Sequence, residues 1–282
     1  MRPPSPSIPE KEFLSAALKK SLRLDGRKPL QSRTPHLSFG PELGWVECAL
    51  GKTRVLAHTE AKMVKPPPER PFEGLVTVHS EISPMAGMEY ESGRASDEEV
   101  MITRMLDKVL RRSDAVDKES LCVIAGERVW HVRLMIHCLA DAGNLLDCAC
   151  LAGIVALKHF RRPDVEVIGD EVTVHRTSER APVPLSMHHS PFCFTFAFFS
   201  DSDALAILDP TQLEQRLSAG LMSVALNAQR ELCVVQKLGG VPCDISDILR
   251  LINVAVDEAK RWDELIATKL KEDWDERNVE LI

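Results

Sequence analysis

Asp141-Ala142-Gly143-Asn144 is a tight turn between an alternating strand and a helix that is apolar almost all round (VWHVRLMIHCLADAGNLLDCACLAGIVALKHF, residues 129–160). A strand that runs through a glycine turn into a buried helix leaves backbone N–H groups at the helix N-terminus, where an anion can sit. Phosphate chemistry there also needs side chains that clamp negative charge. The turn is followed by Leu145 and Leu146 and supplies no Arg, Lys, Ser or Thr beside Asn144. It has the architecture of a phosphate site without the side chains of a catalyst. Asp147, the nearest acid inside the helix, reads as a capping or packing residue, because a lone carboxylate repels phosphate.

Other candidate groups are weaker. His188 and His189 suit a metal or a general base by type, but adjacent residues of an extended chain point to opposite sides and no third ligand stands at the right spacing. Arg104, Lys108 and Arg111 are spaced by four and three, so on a helix they share one face. That face is either solvated or a set of phosphate contacts. The eight cysteines sit inside apolar runs, with Cys243 in a loop as the exception, and none forms a CxxC pair. Cys148 and Cys150, two apart on a helix, diverge. Buried reduced thiols in an intracellular, reducing compartment are expected, with no metal and no cofactor.

Composition narrows the classes further. A chain of 282 residues with 44% hydrophobic residues can bury a sizeable core. Its formal charge of −7 repels a polyanion on average, so any RNA contact must come from local clusters or from neighbours in an assembly. No apolar run is long enough to cross a bilayer. Residues 1–9, rich in Pro and Ser, read as a flexible leader without the hydrophobic segment of a signal peptide.

These groups must be carried by elements that the patterning predicts. Apolar residues at helical spacing mark a helix over 10–22. Strands alternate over 45–50 and 53–60 around Gly51-Lys52, and a third follows over 74–82 after an extended Pro66-Pro67-Pro68 loop. Ser96 with Glu99 opens a helix to about 113, whose apolar residues are Val100, Met101, Met105, Leu106, Val109 and Leu110. A short strand over 121–125 precedes the long strand from 129, with Trp130, Val132, Leu134, Ile136 and Cys138 on one side. The small-residue helix after it is central and ends before Arg161-Arg162-Pro163. Arg161 and Arg162 complement the C-terminal end of that helix. A hairpin over 165–174, strands over 192–199 and 204–208, and a helix capped by Asp209 with Pro210 come next. A last hairpin joins 221–227 to 230–236, and a long helix from about Ile245 carries Ile248, Ile252, Val256 and Ala259 on one face. The pattern is α+β in two similar halves. The first spans roughly 30–180, with the central helix over 145–160, and the second spans 181–282.

RLDGR (residues 23–27), GKTRVLA (51–57) and SLCVIAGERVW (120–130) resemble the RNase PH family. HFRRPDVEV (159–167), PVPLSMHHSPFCFTFAFF (182–199) and LDPTQLEQ (208–215) narrow the likeness to ring subunits of the eukaryotic RNA exosome. The resemblance runs from about residue 10 to 271, and its strength lies in several motifs standing in one order. It implies an RNase PH-type fold (ribosomal protein S5 domain 2-like) of two βαβα halves. It implies a ring of six related subunits, with RNA-binding cap subunits on one face and a hydrolytic nuclease on the other, and single-stranded RNA threaded through the channel. The end at Ile282 resembles the short form of fungi, without the tail of animal members.

Active relatives cut RNA from its 3′ end with phosphate. They place a Ser or Thr followed by Arg at the positions of Asn144 and Leu145, and carboxylates near the strand that begins at Phe192. Residues 185–191 contain no Asp or Glu. A leucine lacks the forked donors of a guanidinium, and loss of one such contact costs on the order of 10²–10³ in rate. The resemblance therefore implies no catalytic residues, a degenerate phosphate site at Asn144 and Leu145, and RNA contact by Arg104 and Lys108, with Arg111 beside them. Arg23, Arg27, Lys19 and Lys20 are solvated charges or partner contacts. The implied role is rRNA maturation, mRNA decay and RNA surveillance in the nucleus, nucleolus and cytoplasm. An active phosphorolytic exoribonuclease is the alternative, and a small-molecule enzyme on a related fold would need a Gly-rich phosphate loop that the chain lacks.

Overall fold

Gly51 turns at φ +61° and Lys52 completes the two-residue link, so the segments on either side pair directly as a hairpin. From this nucleus a sheet grows, seen in a computed structural model that describes residues 6–91, 93–169, 171–175, 179–199, 206–240 and 242–279. Helix α1 (Ile8–Lys19) leads into β1 (Pro35–Phe39), β2 (Trp45–Leu50), β3 (Thr53–Val64) and β4 (Leu75–Ile82). Helix α2 (Asp97–Leu106) continues as one π-helical turn over Asp107–Arg111, followed by β5 (Cys122–Ile124) and β6 (Arg128–Ala140). The order across the sheet is β1-β2-β3-β6-β4, with β5 also on β6. All pairs are antiparallel except β4 with β6, and that parallel pair is the one whose connection is long enough to carry α2.

Helix α3 (Leu145–His159) is the pivot of the molecule. After β7 (Arg161–Arg162), β8 (Val165–Ile168), β9 (Glu171–Val174) and β10 (Val183–Pro184) come β11 (Phe192–Phe198), β12 (Ala206–Leu208), α4 (Gln212–Leu217), β13 (Gly220–Leu226), β14 (Leu232–Gly239) and α5 (Ile245–Val279). A second antiparallel sheet runs β12-β11-β13-β14. Every residue of β11 is buried because both its faces are covered. Phe192 and Phe194 meet Trp262 of α5, with centroids at 6.1 and 4.8 Å, while Thr195 faces Asp147 of α3. The small residues of α3 permit close approach to the first sheet. A methyl added at Gly153 would stand 3.1 Å from Leu134 and 3.3 Å from both Ile136 and Leu110.

Several expectations are corrected. The first helix starts at Ile8, capped by Ser7 in a reciprocal box with Glu10, so residues 7–9 are not a flexible leader; residues 1–5 lie outside the described residues. Strand β1 was not anticipated. In α2, Val100 is exposed and Ile102 takes the buried place. The buried stripe of α5 is Leu251, Ala255, Val256, Ala259, Trp262 and Ile266, with Ile248 and Ile252 only at its flank. Cys122 and Cys233 are half-buried rather than core, and all eight thiols are free. Asp209 does not cap α4: Thr211 does, in a box with Glu214. Arg161 lies over the ring of Trp274 in α5, 4.8 Å from its centroid, rather than serving the end of α3.

Candidate functional site

Gly143 and Asn144 both take left-handed backbone angles, φ +93° and +60°, to turn the chain from β6 into α3. Glycine is required at 143 for a second reason. A Cβ there would lie 2.3 Å from the backbone nitrogen of Gln212 and 2.5 Å from the carbonyl carbon of Thr211. The turn is thus pressed against the segment entering α4, and Gln212 N donates to Ala142 O at 3.1 Å.

Three N–H groups of the turn are already taken by the protein's own side chains. Thr53 Oγ1 lies 3.3 Å from Ala142 N, Asp141 Oδ1 accepts from Gly143 N at 2.8 Å, and Gln215 Oε1 accepts from Asn144 N at 3.0 Å. The carbonyl of Gly143 accepts from Thr53 Oγ1 and Arg33 Nη2. Leu145, at the position where active family members are expected to carry arginine, is 1% exposed and belongs to the core.

The charges around the turn are closed on themselves. Arg33 grips Asp209 with Nε and Nη2, Arg27 adds Nη1, and Asn144 Nδ2 donates to the same carboxylate at 2.7 Å. Burial alone would push Asp209 up, yet these donors, Arg33 foremost, hold it below the usual carboxylate range. Arg23 is buried, bonded twice to Glu214 and to the carbonyls of Leu208 and Asp209. Arg23 and Arg27 therefore tie the segment before the first half to the second half and are not solvated or partner charges. Asp209 itself sits at φ +53° at the end of β12, placed there to receive the arginines.

Asp147 accepts from Asn144 Nδ2 at 2.8 Å, from Thr195 N at 2.8 Å and from Thr195 Oγ1 at 2.7 Å. Burial pushes its pKa up to about 7 against those hydrogen bonds. It is the packing residue anticipated, joining α3 to β11. On the other side of the turn, Tyr90 Oη lies within hydrogen-bond distance of Glu98 Oε2 and Asp141 Oδ2, at 3.0 and 3.1 Å, with one proton to share between them. Burial and the nearby Asp141 raise Glu98 above its ordinary range. A pocket of about 20 Å³ lined by Glu98, Asn144, Thr195, Gln215 and Ser223 has room for roughly one water. Its lining holds one carboxylate, Glu98, with neutral amides and hydroxyls and no cation to meet a phosphate.

The basic helix divides. Arg104 is exposed and has no carboxylate partner among the described residues, and Lys108 Nζ reaches Gln236 of β14 at 3.4 Å. Arg111 is claimed by Asp107 and lines a cleft with Arg70, Glu73 and Lys118. The π turn widens the helix between Asp107 and Arg111, so Arg111 leaves the line of the other two. His188 and His189 also separate: His188 lies 3.8 Å from Asp117, and His189 3.8 Å from the thiol of Cys233. Sequence reading missed the Arg33–Asp209–Asn144 network. Its only signal was three arginines within eleven residues, Arg23 to Arg33, with no apolar stripe between them.

The two halves match family models described as 3′ exoribonuclease family domain 1, over residues 31–163, and domain 2, over residues 189–258. The chain is 45% identical over 267 residues to the Schizosaccharomyces pombe protein named exosome complex component rrp45, covering 95% of this chain and 91% of that one. It is 43% identical over 264 residues to human exosome complex component RRP45, spanning 60% of that protein's length. The fold overlays a chain of the Archaeoglobus fulgidus exosome with RNA bound to the active site, with TM-score 0.78, 25% identity and coverage of 90% and 96% of the two chains. A chain of an archaeal exosome core aligns with TM-score 0.72 at 23% identity, covering 92% of this chain and 96% of that one.

Proposed function

This chain belongs to the RNase PH family of 3′ exoribonucleases, among the exosome components named RRP45, and on that premise we propose that it is a non-catalytic structural and RNA-threading subunit of the exosome core ring. One observation carries the non-catalytic part. The N–H groups of Ala142, Gly143 and Asn144 in the turn are each occupied from within, beside a buried leucine and a set of acids. Phosphate would have to displace Asp141 and Gln215 and then sit near Asp141 and Glu98, with every nearby arginine committed to Asp209 or Glu214. Transition-state charge has no uncommitted guanidinium beside the turn to meet it. Phosphorolysis by this chain, the competing reading, finds no support in that arrangement.

The chain then works by binding. Its partners are the other RNase PH-like ring subunits, the RNA-binding caps and a hydrolytic nuclease, with single-stranded RNA in the channel and 3′-to-5′ processing and decay as the process served. The places of work are the nucleus, its nucleolus and the cytoplasm. Arg104 and Lys108 are the RNA contacts we favour, since among the described residues one has no carboxylate partner and the other has only an amide. Arg111 is the weakest of the three because Asp107 neutralises it.

Two measurements test the proposal. The purified chain, given oligo(A) RNA, phosphate and Mg²⁺, should release no nucleoside diphosphate, and release abolished by Asp147→Asn would overturn catalytic silence. Native mass spectrometry of the endogenous complex should recover the chain in a hetero-oligomer, and recovery only as a monomer would overturn the structural role.

A further inference from the structure

Arg161 and Arg162, just past the central helix, have no carboxylate within ion-pair distance among the described residues. Arg161 stacks on Trp274, and its Nε is buried without an acceptor among the described residues. Arg162 makes no side-chain hydrogen bond or ion pair among those residues. The closest acid in sequence, Asp164, is held by Arg180 at 3.1 Å, and Glu166 is held by the same guanidinium at 2.6 Å. Burial lowers the pKa of both arginines, with only Asp164 opposing it at Arg162. A guanidinium stays charged in a protein, so desolvation without a partner is a cost that an incoming carboxylate relieves.

Arg162 is one wall of a groove of about 180 Å³ whose other walls include Val123, Val165, Val167, Val183 and Asp164, the last with its carboxylate held by Arg180. That volume is below the roughly 300–1,000 Å³ of small-molecule pockets and suits one or two side chains. The groove lies where two short ribbons meet, β7 with β10 and β8 with β9, and each two-stranded ribbon presents unpaired backbone edges. The hairpin also holds Val167, Ile168 and Val174 out to solvent, at 43%, 70% and 46% exposure.

We propose that this groove docks an extended segment of a partner protein in which aliphatic residues alternate with Asp or Glu, a carboxylate pairing with Arg162 and an aliphatic side chain entering between the valines. Strand periodicity sends alternate side chains to opposite sides, so a peptide lying across the groove can offer both chemistries along one edge. RNA fits less well. The valine walls give no stacking platform for bases. The proposal rests on the reading that this chain works inside an assembly, and it adds one chemically defined contact to it.

The test uses the tagged complex carrying Arg162→Lys, with native mass spectrometry first reporting whether the chain assembles. A zero-length carbodiimide then joins the introduced amine to any carboxylate paired with it. The expected product is a link to an Asp or Glu flanked by aliphatic residues in another subunit, reduced at least tenfold when Val167→Asp is added. Links only to Asp164 or Glu166 of the same chain, or to RNA phosphate, would overturn the proposal while leaving the assembly reading intact. Unmodified protein gives a second readout. Phenylglyoxal should label Arg162 at least tenfold more slowly in the complex than in the isolated chain, and equal rates would refute the docking.

Discussion

Arg33 and Asp209 meet fork to fork, Nε on Oδ2 at 2.8 Å and Nη2 on Oδ1 at 2.6 Å, across 176 residues of chain. The backbone N–H of Arg33 adds a third bond at 2.9 Å. This pair closes the first half of the molecule onto the second, and Asn144 extends it to Asp147 in the central helix. The charge that would have served a phosphate is spent on holding the fold.

Removing Asp209 leaves two guanidiniums without their carboxylate in a buried setting. Breaking one side of such a pair costs about 3–5 kcal/mol. Asp209→Ala should therefore lower the unfolding free energy by roughly that amount, measured by urea denaturation, with Asp209→Asn losing less because it keeps an acceptor for Arg33. A loss below about 1 kcal/mol, the level of an exposed pair, would contradict the internal-tie reading.

Gly143→Ala should be among the most damaging small substitutions. The added methyl meets backbone atoms of Thr211 and Gln212, which cannot swing aside, and alanine is strained at φ +93°. We expect insoluble protein or a loss of several kcal/mol, on the scale of a special backbone conformation combined with overpacking. Gly26→Ala provides the control, since it has positive φ and open space around its Cβ. Thermal melts of the two variants should differ clearly, and equal melts would deny the interlock.

Asp147 gives stability a pH dependence of known sign. Its folded-state pKa of about 7 lies above the ordinary 3.8, so the folded chain binds the proton more tightly than the unfolded one. Its contribution is fully present below about pH 4 and is lost as pH rises through about 7. Asp147→Asn removes that slope. Between pH 5 and 8 the variant should gain on the wild type by roughly 2–3 kcal/mol in denaturation experiments. Stability curves that stay parallel over this range would show that Asp147 keeps its charge in the core.

Arg104 and Lys108 should show themselves through salt. Each phosphate neutralised on a single strand contributes about 0.7 to the slope of log affinity against log salt. Arg104→Ala with Lys108→Ala in the assembled complex should flatten that slope by roughly 1.4, whereas Arg111→Ala should change it little because Asp107 already neutralises that side chain. An unchanged slope in the double variant would place the RNA path elsewhere.

The hairpin at Gly51, the alternation of β6 and the all-apolar central helix were legible because they follow from local rules: a turn residue, a period of two and a run without charge. Asn144 and Leu145 could also be read, since the absence of a guanidinium is visible in one dimension. Arg111 was misplaced because a π turn is decided by packing and leaves no mark in residue spacing. Asp209 was misread for a related reason. Asp-Pro is a common way to open a helix, and only the folded chain brings Arg27 and Arg33 to that carboxylate. The sequence by itself thus determined the α+β layers and the missing phosphate clamp, through short-range patterning. Tertiary structure alone decided that the N–H groups of the turn are filled from within and that Asp209 binds the halves together. The contacts to Asp209 from Asn144 and Arg27 join residues 65 and 182 positions apart, and no local pattern encodes which partner a buried charge will meet.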